Sequence, residues 1–153
     1  HPFDSITEGI EAVTSGKSVV VAAGTYNEQL IINKGITLQG AGKENTIISG
    51  LGCTGNLITI TADDVTISGF TIDGKSGTDV GIYSDLSSSI KISENLIQLH
   101  QDSGILYHRT SDDYPSGINA ITAIIKDSTS AKINPCLWTR ETTKKVREAI
   151  KTI

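Results

Sequence analysis

V-T-I-S-G-F-T-I-D-G, Val65 to Gly74, aligns without gaps on I-K-I-S-E-N-L-I-Q-L, Ile90 to Leu99, at a 25-residue offset. Val65 falls on Ile90, Ile67 on Ile92 and Ile72 on Ile97. A third copy lies upstream, as I-T-L-Q-G (Ile36 to Gly40) and T-I-I-S-G (Thr46 to Gly50), with Ala41 to Asn45 inserted between the halves. A fourth lies downstream, as I-N-A-I-T-A-I-I-K-D, Ile118 to Asp127. Each copy also has a short companion strand: Leu30 to Asn33, Leu57 to Thr61, Gly81 to Asp85 and Gly104 to His108. The unit is therefore three short strands per 23–29 residues, with Gly, Asn, Asp and Ser at the corners. Apolar and polar residues alternate within each strand, the pattern of a half-buried strand.

No such unit can bury its apolar face alone. Stacking equivalent strands in parallel buries it, with Ile over Ile along the interior. The expectation is an all-β, right-handed parallel β-helix of about four to five coils, adjacent coils ~4.8 Å apart. A β-sandwich is the competing arrangement, since short strands with frequent turns suit it too. The in-register Ile positions favour the solenoid. Composition agrees: the chain holds 23 Ile and 18 Thr against 9 Leu, and β-branched side chains suit pleated surfaces.

The 153 residues read as one short domain: a cap helix within 1–16, coils over 18–134 and a C-terminal helix over 139–153. Ile6, Ile10 and Val13 have helical spacing, with Asp4 or Ser5 as N-cap and Gly16 as stop. In the second helix Val146, Ala149, Ile150 and Ile153 share one side, opposite Arg140, Lys144, Lys145 and Arg147. Such caps would protect the open sheet edges, and an incompletely capped edge would allow self-association.

Net charge is −4, which argues against a basic nucleic-acid surface. No apolar run approaches the ~20 residues that span a bilayer. Without an initiator Met or a secretory signal, His1 reads as the start of a processed or excised segment. Cys53 and Cys136 fit either one disulfide or two buried thiols. They form no metal-type spacing with His1, His100 or His108, so no metal site is expected from Cys and His.

Outward residues of stacked strands form ladders. On the companion strands these are Thr59, Tyr83 and Leu106, then Thr61, Asp85 and His108. Elsewhere Thr66, Lys91 and Asn119 follow one another, and Asp73, Gln98 and Lys126. A carboxylate one coil from an imidazole, as in Asp85 beside His108, has acid/base potential, although it also fits an exposed ion pair. The insertion Arg109 to Gly117 supplies Arg109, Asp112, Asp113 and Tyr114. Arg pairs with carboxylates in a bidentate fashion and Tyr offers a stacking face, a set suited to a sugar or a uronate. Asp112 and Asp113 could also help hold a calcium ion. The irregular Thr ladders speak against an ice-binding face.

The stretch Ser18 to Gly50, V-V-V-A-A-G-T-Y-N-E-Q-L-I-I-N-K-G-I-T-L-Q-G-A-G and then T-I-I-S-G, resembles the opening of the pectin lyase-like superfamily of right-handed parallel β-helices. V-T-I-S-G-F-T-I and I-S-E-N-L-I continue that family's coil pattern. The resemblance runs from about Ile6 to Leu99 and more weakly from Gly104 to Ile133. It implies a carbohydrate theme and an extracellular, cell-surface or periplasmic location. It does not select among the superfamily's lyases, hydrolases, esterases, epimerases and non-catalytic members. L-H-Q-D-S-G-I-L-Y is similar to the Gln-Asp segment of pectin methylesterases, which would make Gln101 an oxyanion donor and Asp102 a general acid. That family's nucleophilic Asp motif and its Gly-Arg-Pro-Trp motif are missing here. Two functions follow. One is a polysaccharide-binding or structural surface module, with Tyr83, Asp85, Gln101, Asp112, Asp113 and Tyr114 on substrate. The other is a polyuronide lyase or esterase, with Asp102, His108 and Arg109 as catalytic residues.

Overall fold

A computed structural model describes residues 2–85, 87, 89–108, 118–126, 132–133 and 151–152. The chain opens with a helix, α1 (Ile6–Ala12). The first coil follows as β1 (Ser18–Val21), β2 (Gly24–Tyr26) and β3 (Leu30–Ile32). The second is β4 (Thr37–Gly40), β5 (Thr46–Ser49) and β6 (Asn56–Ile60), and the third is β7 (Thr66–Ser68), β8 (Thr71–Asp73) and β9 (Val80–Asp85). Next come β10 (Ile90–Gln98) and β11 (Ser103–His108), then β12 (Ile118–Lys126), β13 (Lys132–Ile133) and β14 (Lys151–Thr152).

All pairings are parallel, and each runs from one coil to the next. β1, β4, β7 and the first half of β10 stack as one face. β2, β5, β8 and the second half of β10 stack as another. The third face is β3, β6, β9, β11 and β13. The protein is a right-handed parallel β-helix. From β3 to β11 the third face closes three turns, slightly fewer than the four to five coils expected. The corners that would complete the next coil lie outside the described residues.

Ile67 meets Ile92 and Ile72 meets Ile97 in register, as predicted, and Leu30, Ile58, Ile82 and Ile105 form a further inward line. Every one of them is buried. Burying each contributes roughly 1.5–3 kcal/mol, and this is what stacking gains over a lone coil. One column is interrupted. Ile32 and Ile60 lead to Ser84, whose buried hydroxyl has no hydrogen-bond partner among the described residues.

The fourth copy departs from gapless alignment at two places. β12 has an extra residue, Asn119, between the partners of Ile90 and Lys91, and β10 has an extra residue, Glu94, between Ser93 and Asn95. The two bulges compensate, so Ile92 pairs with Ile121 rather than Ala120. Lys91 therefore faces Ala120, and the expected Thr66–Lys91–Asn119 ladder is off by one residue. Keeping Ile on Ile is the physical reason for the shift.

The corner between the first two faces is unusually tight. A methyl group added to Gly40 would lie 2.4 Å from the Gly69 carbonyl oxygen. Gly69 has φ 79, and Glu94 adopts φ 56 at the same place one coil on. Asn95 then fills the position of Phe70. It is buried, its Oδ1 accepts from the Phe70 amide at 3.0 Å, and its Nδ2 donates to the Ile67 carbonyl at 2.9 Å. The side chain thus serves a corner residue's purpose, satisfying backbone groups that the turn leaves unpaired.

The cap helix is shorter than residues 1–16 and ends at Ala12, well before Gly16. Ser5 is the N-cap, its hydroxyl accepting from the Glu8 amide. Two charged residues of the first coil clamp the helix from outside. The Glu28 carboxylate accepts from the Ile6 and Thr7 amides at 2.8 and 3.1 Å, satisfying free N–H groups at the helix start. The Lys34 ammonium donates to the carbonyls of Ile10, Glu11 and Val13 at 3.1, 2.7 and 2.9 Å. The G-T-Y-N-E element therefore fastens the cap: Tyr26 bonds the Ala22 carbonyl and Glu28 holds α1. The expected C-terminal helix over 139–153 lies outside the described residues except at Lys151–Thr152. Those two residues are a strand paired with Ile124 and Ile125 and not part of a helix.

Candidate functional site

The outward ladder of the third face is the one predicted, and it gains a member. Ile31, Thr59, Tyr83 and Leu106 follow one another in register, with Lys132 next in the backbone ladder. Three spacings of ~4.8 Å make the strip from Ile31 to Leu106 roughly 14 Å long. Ile31 is 63% exposed, and Thr59, Tyr83 and Leu106 are half-buried. An aromatic ring flanked by aliphatic and hydroxyl side chains on a rigid sheet is a stacking platform with polar edges.

Two corners border the strip at the start of its strands: residues 74–79, before β9, and residues 99–102, before β11. Lys75 and Ser76 are consecutive non-glycine residues at positive φ, 51 and 56, and Leu99 lies at φ 58. Backbone bonds zip the corners together: Ser76 to the Leu99 carbonyl, Gln101 to that of Thr78 and Asp102 to that of Asp79. Side chains add to this, as the Gln101 amide donates to the Ser76 carbonyl at 2.7 Å.

His100 lies under this junction, 3% exposed. Its Nε2 is 3.2 Å from the Ile72 carbonyl and must donate there, so in the neutral ring Nδ1 accepts from the Thr78 hydroxyl at 2.8 Å. Added methyl groups on Gly74 and Gly81 would sit 2.5 and 2.9 Å from the ring nitrogens, so both positions must stay bare to admit the imidazole. Burial pushes the His100 pKa down, against the hydrogen bond to Ile72 and the charge of Asp73. Asp73 is itself 4% exposed. Burial opposes its ionisation. Hydrogen bonds from the Lys75 side chain and backbone and from Gln98, together with the Lys75 charge, outweigh that and hold its carboxyl below the usual range. The Lys75 ammonium lies 2.7 Å from Asp73 Oδ2. Buried His100 and Asp73, the latter paired with the exposed Lys75, are not a set that the sequence pattern singled out. The 25-residue offset that places Lys75 on His100 was the available signal.

The expected site residues do not all converge. Asp85 and His108 are register partners in β9 and β11, as predicted. Gln101 and Asp102 lie at the opposite edge, just before β11. Six residue steps along an extended strand separate Asp102 from His108, about 20 Å, so one reacting atom cannot meet both. The Asp102 carboxylate accepts from the Ser103 hydroxyl at 3.4 Å. Arg109, Asp112, Asp113 and Tyr114 lie outside the described residues. Among the described residues no three His, Cys, Asp or Glu side chains converge as metal ligands, and no helix is long and apolar enough to cross a membrane. Cys53 carries a free, half-buried thiol, and Cys136 lies outside the described residues.

Fold and face together define a short right-handed parallel β-helix with a helix-capped first coil and an aromatic outward ladder on its third sheet. The chain belongs to the family described as "Protein of unknown function (DUF1565)", whose model matches residues 1–150. It is 34% identical over 108 residues to a cell surface glycoprotein of Methanothermus fervidus, a match that covers 69% of this chain and 17% of that protein. Among solved structures it is similar to a pectin methylesterase in complex with a hexasaccharide, at TM-score 0.53 and 16% identity over 84% of this chain and 51% of that one. It is also similar to the pectin methylesterase of Yersinia enterocolitica, at TM-score 0.52 and 14% identity over 83% of this chain and 56% of that one. These two likenesses show the fold. The chain spans only about half of each enzyme and a smaller part of the surface glycoprotein.

Proposed function

We propose that this chain is an extracellular, non-catalytic carbohydrate-binding module that lays a glycan along the third face, with Tyr83 at the centre. The observation that carries the reading is the in-register ladder Ile31–Thr59–Tyr83–Leu106. A sugar ring presents an apolar face and a rim of hydroxyls, and this strip offers apolar contact with polar neighbours in the same arrangement. Relatives support the reading: one is a cell surface glycoprotein, and a neighbour of like fold is solved with a hexasaccharide. The strand-length separation of Asp102 from His108 favours binding over acid/base catalysis by that pair. The test is calorimetric titration with linear hexasaccharides of glucose, mannose, galactose and galacturonate, on the wild type and on Tyr83→Ala. Binding without turnover, weakened at least tenfold in the variant, is the expected result. Release of methanol from methylated pectin, or of an ultraviolet-absorbing unsaturated product, would overturn it.

A further inference from the structure

The ladder begins at a pocket. At its first rung, Ile31, the cap helix α1 and the first coil together line a solvent-open cavity of about 420 Å³, within the ~300–1,000 Å³ range of small-molecule sites. Thr7 and Glu11 of α1 form one wall, Gln29, Asn33 and Lys34 of the first coil the other, and Ile31 adds the exposed apolar surface. We propose that this cavity holds the terminal residue of a neutral glycan, so that the module recognises chain ends. The proposal rests on the glycan-binding reading above and names its polarity and its sugar class.

Three features select the ligand. Among the described residues the one cation lining the cavity is already engaged: all three Lys34 N–H groups donate to carbonyls at the end of α1. No ammonium proton is left for a uronate carboxylate. Glu11 is exposed on the opposite wall, and its charge disfavours a second carboxylate. The polar groups that remain favour sugar hydroxyls as donors. The Gln29 amide nitrogen donates to the Thr54 and Asn56 carbonyls at 2.7 and 2.9 Å, which fixes the group and leaves Oε1 as an acceptor. Asn33, also exposed, offers both a donor and an acceptor. Because β3 is the first strand of the third face and α1 lines the pocket beside Ile31, a glycan lying on Tyr83 would place its end here.

The experiment compares one neutral polysaccharide with its own short hydrolysis fragments, and a neutral hexasaccharide with hexagalacturonate. It uses the full chain and the variants Ile31→Ala and Glu11→Lys at exposed positions and Tyr83→Ala at a half-buried one. Saturation should follow the concentration of chain ends. Neutral chains should bind about tenfold tighter than the uronate, and Glu11→Lys should narrow that preference to within about threefold. Ile31→Ala should weaken binding as Tyr83→Ala does. If Tyr83→Ala alone weakens binding, or if saturation follows sugar units, the end pocket is overturned and the ladder stands. If no glycan binds, both readings fall.

Discussion

Replacing Asn95 by alanine removes the side chain that completes the corner within β10. Two buried bonds go with it, from the Phe70 amide and to the Ile67 carbonyl. Each is worth about 0.5–1.5 kcal/mol net, and the backbone groups left unpaired in the interior cost about 1–3 kcal/mol each. Alanine's smaller volume lets some water or backbone adjust, so the total loss should fall at about 2–4 kcal/mol. Urea unfolding followed by circular dichroism measures it, as a lower midpoint at unchanged slope. Asn95→Asp should lose nearly as much. It keeps the acceptor for Phe70 but aims a second oxygen at the Ile67 carbonyl. A loss below about 0.5 kcal/mol for both variants, the size expected at an exposed position, would refute the reasoning that Asn95 holds adjacent coils together.

Next door, Glu94 is an exposed non-glycine residue at φ 56, so Glu94→Gly should raise stability by about 0.5–1 kcal/mol in the same assay. Gly81→Ala should cost more than about 2 kcal/mol, because its methyl group meets the Gly104 carbonyl at 2.5 Å and the His100 ring; thermal melting reads it out. Lys34→Met should loosen the cap helix alone, seen as faster amide exchange in residues 6–12 with the exchange of β7 to β9 unchanged. His100 has its pKa lowered in the folded state, so the unfolded chain binds the extra proton first. Its stabilising contribution is complete above about pH 6.5 and is lost as pH falls from there towards the depressed folded value. Asp73 is also lowered, so its contribution is present above its ordinary carboxylate range and is lost at lower pH, as pH falls through the folded value. Two separated steps in an unfolding pH profile, the upper one abolished by His100→Gln, check both.

How legible each feature was depended on whether it repeats. Ile67 on Ile92 and Tyr83 beside Leu106 could be read because a coil has a fixed period and side chains alternate along a strand. Asn95, which aligns with Phe70, could be placed at a corner because Asn tolerates turn geometry and can satisfy neighbouring backbone groups. The partner of Lys91 could not be fixed, since the bulges at Glu94 and Asn119 cancel over the strand and leave both ends of the alignment intact. The clamps on α1 were hidden for a different reason. Glu28 and Lys34 act on a helix more than twenty residues earlier, and no local pattern links a charge to distant backbone groups. His100 showed only that it forms no metal-type spacing with the cysteines. Its burial follows from the bare positions at Gly74 and Gly81, a shape complementarity that only three dimensions display.

The central claim is that the third face binds glycan through Tyr83. Backbone amide shifts recorded during titration with a bound hexasaccharide test it most directly. The account predicts that the largest changes map to Ile31, Thr59, Tyr83 and Leu106, while Thr37, Thr66 and Lys91 on the first face stay fixed. Changes centred on the first face, or shifts at Thr59 and Leu106 that persist unaltered in Tyr83→Ala, would contradict it.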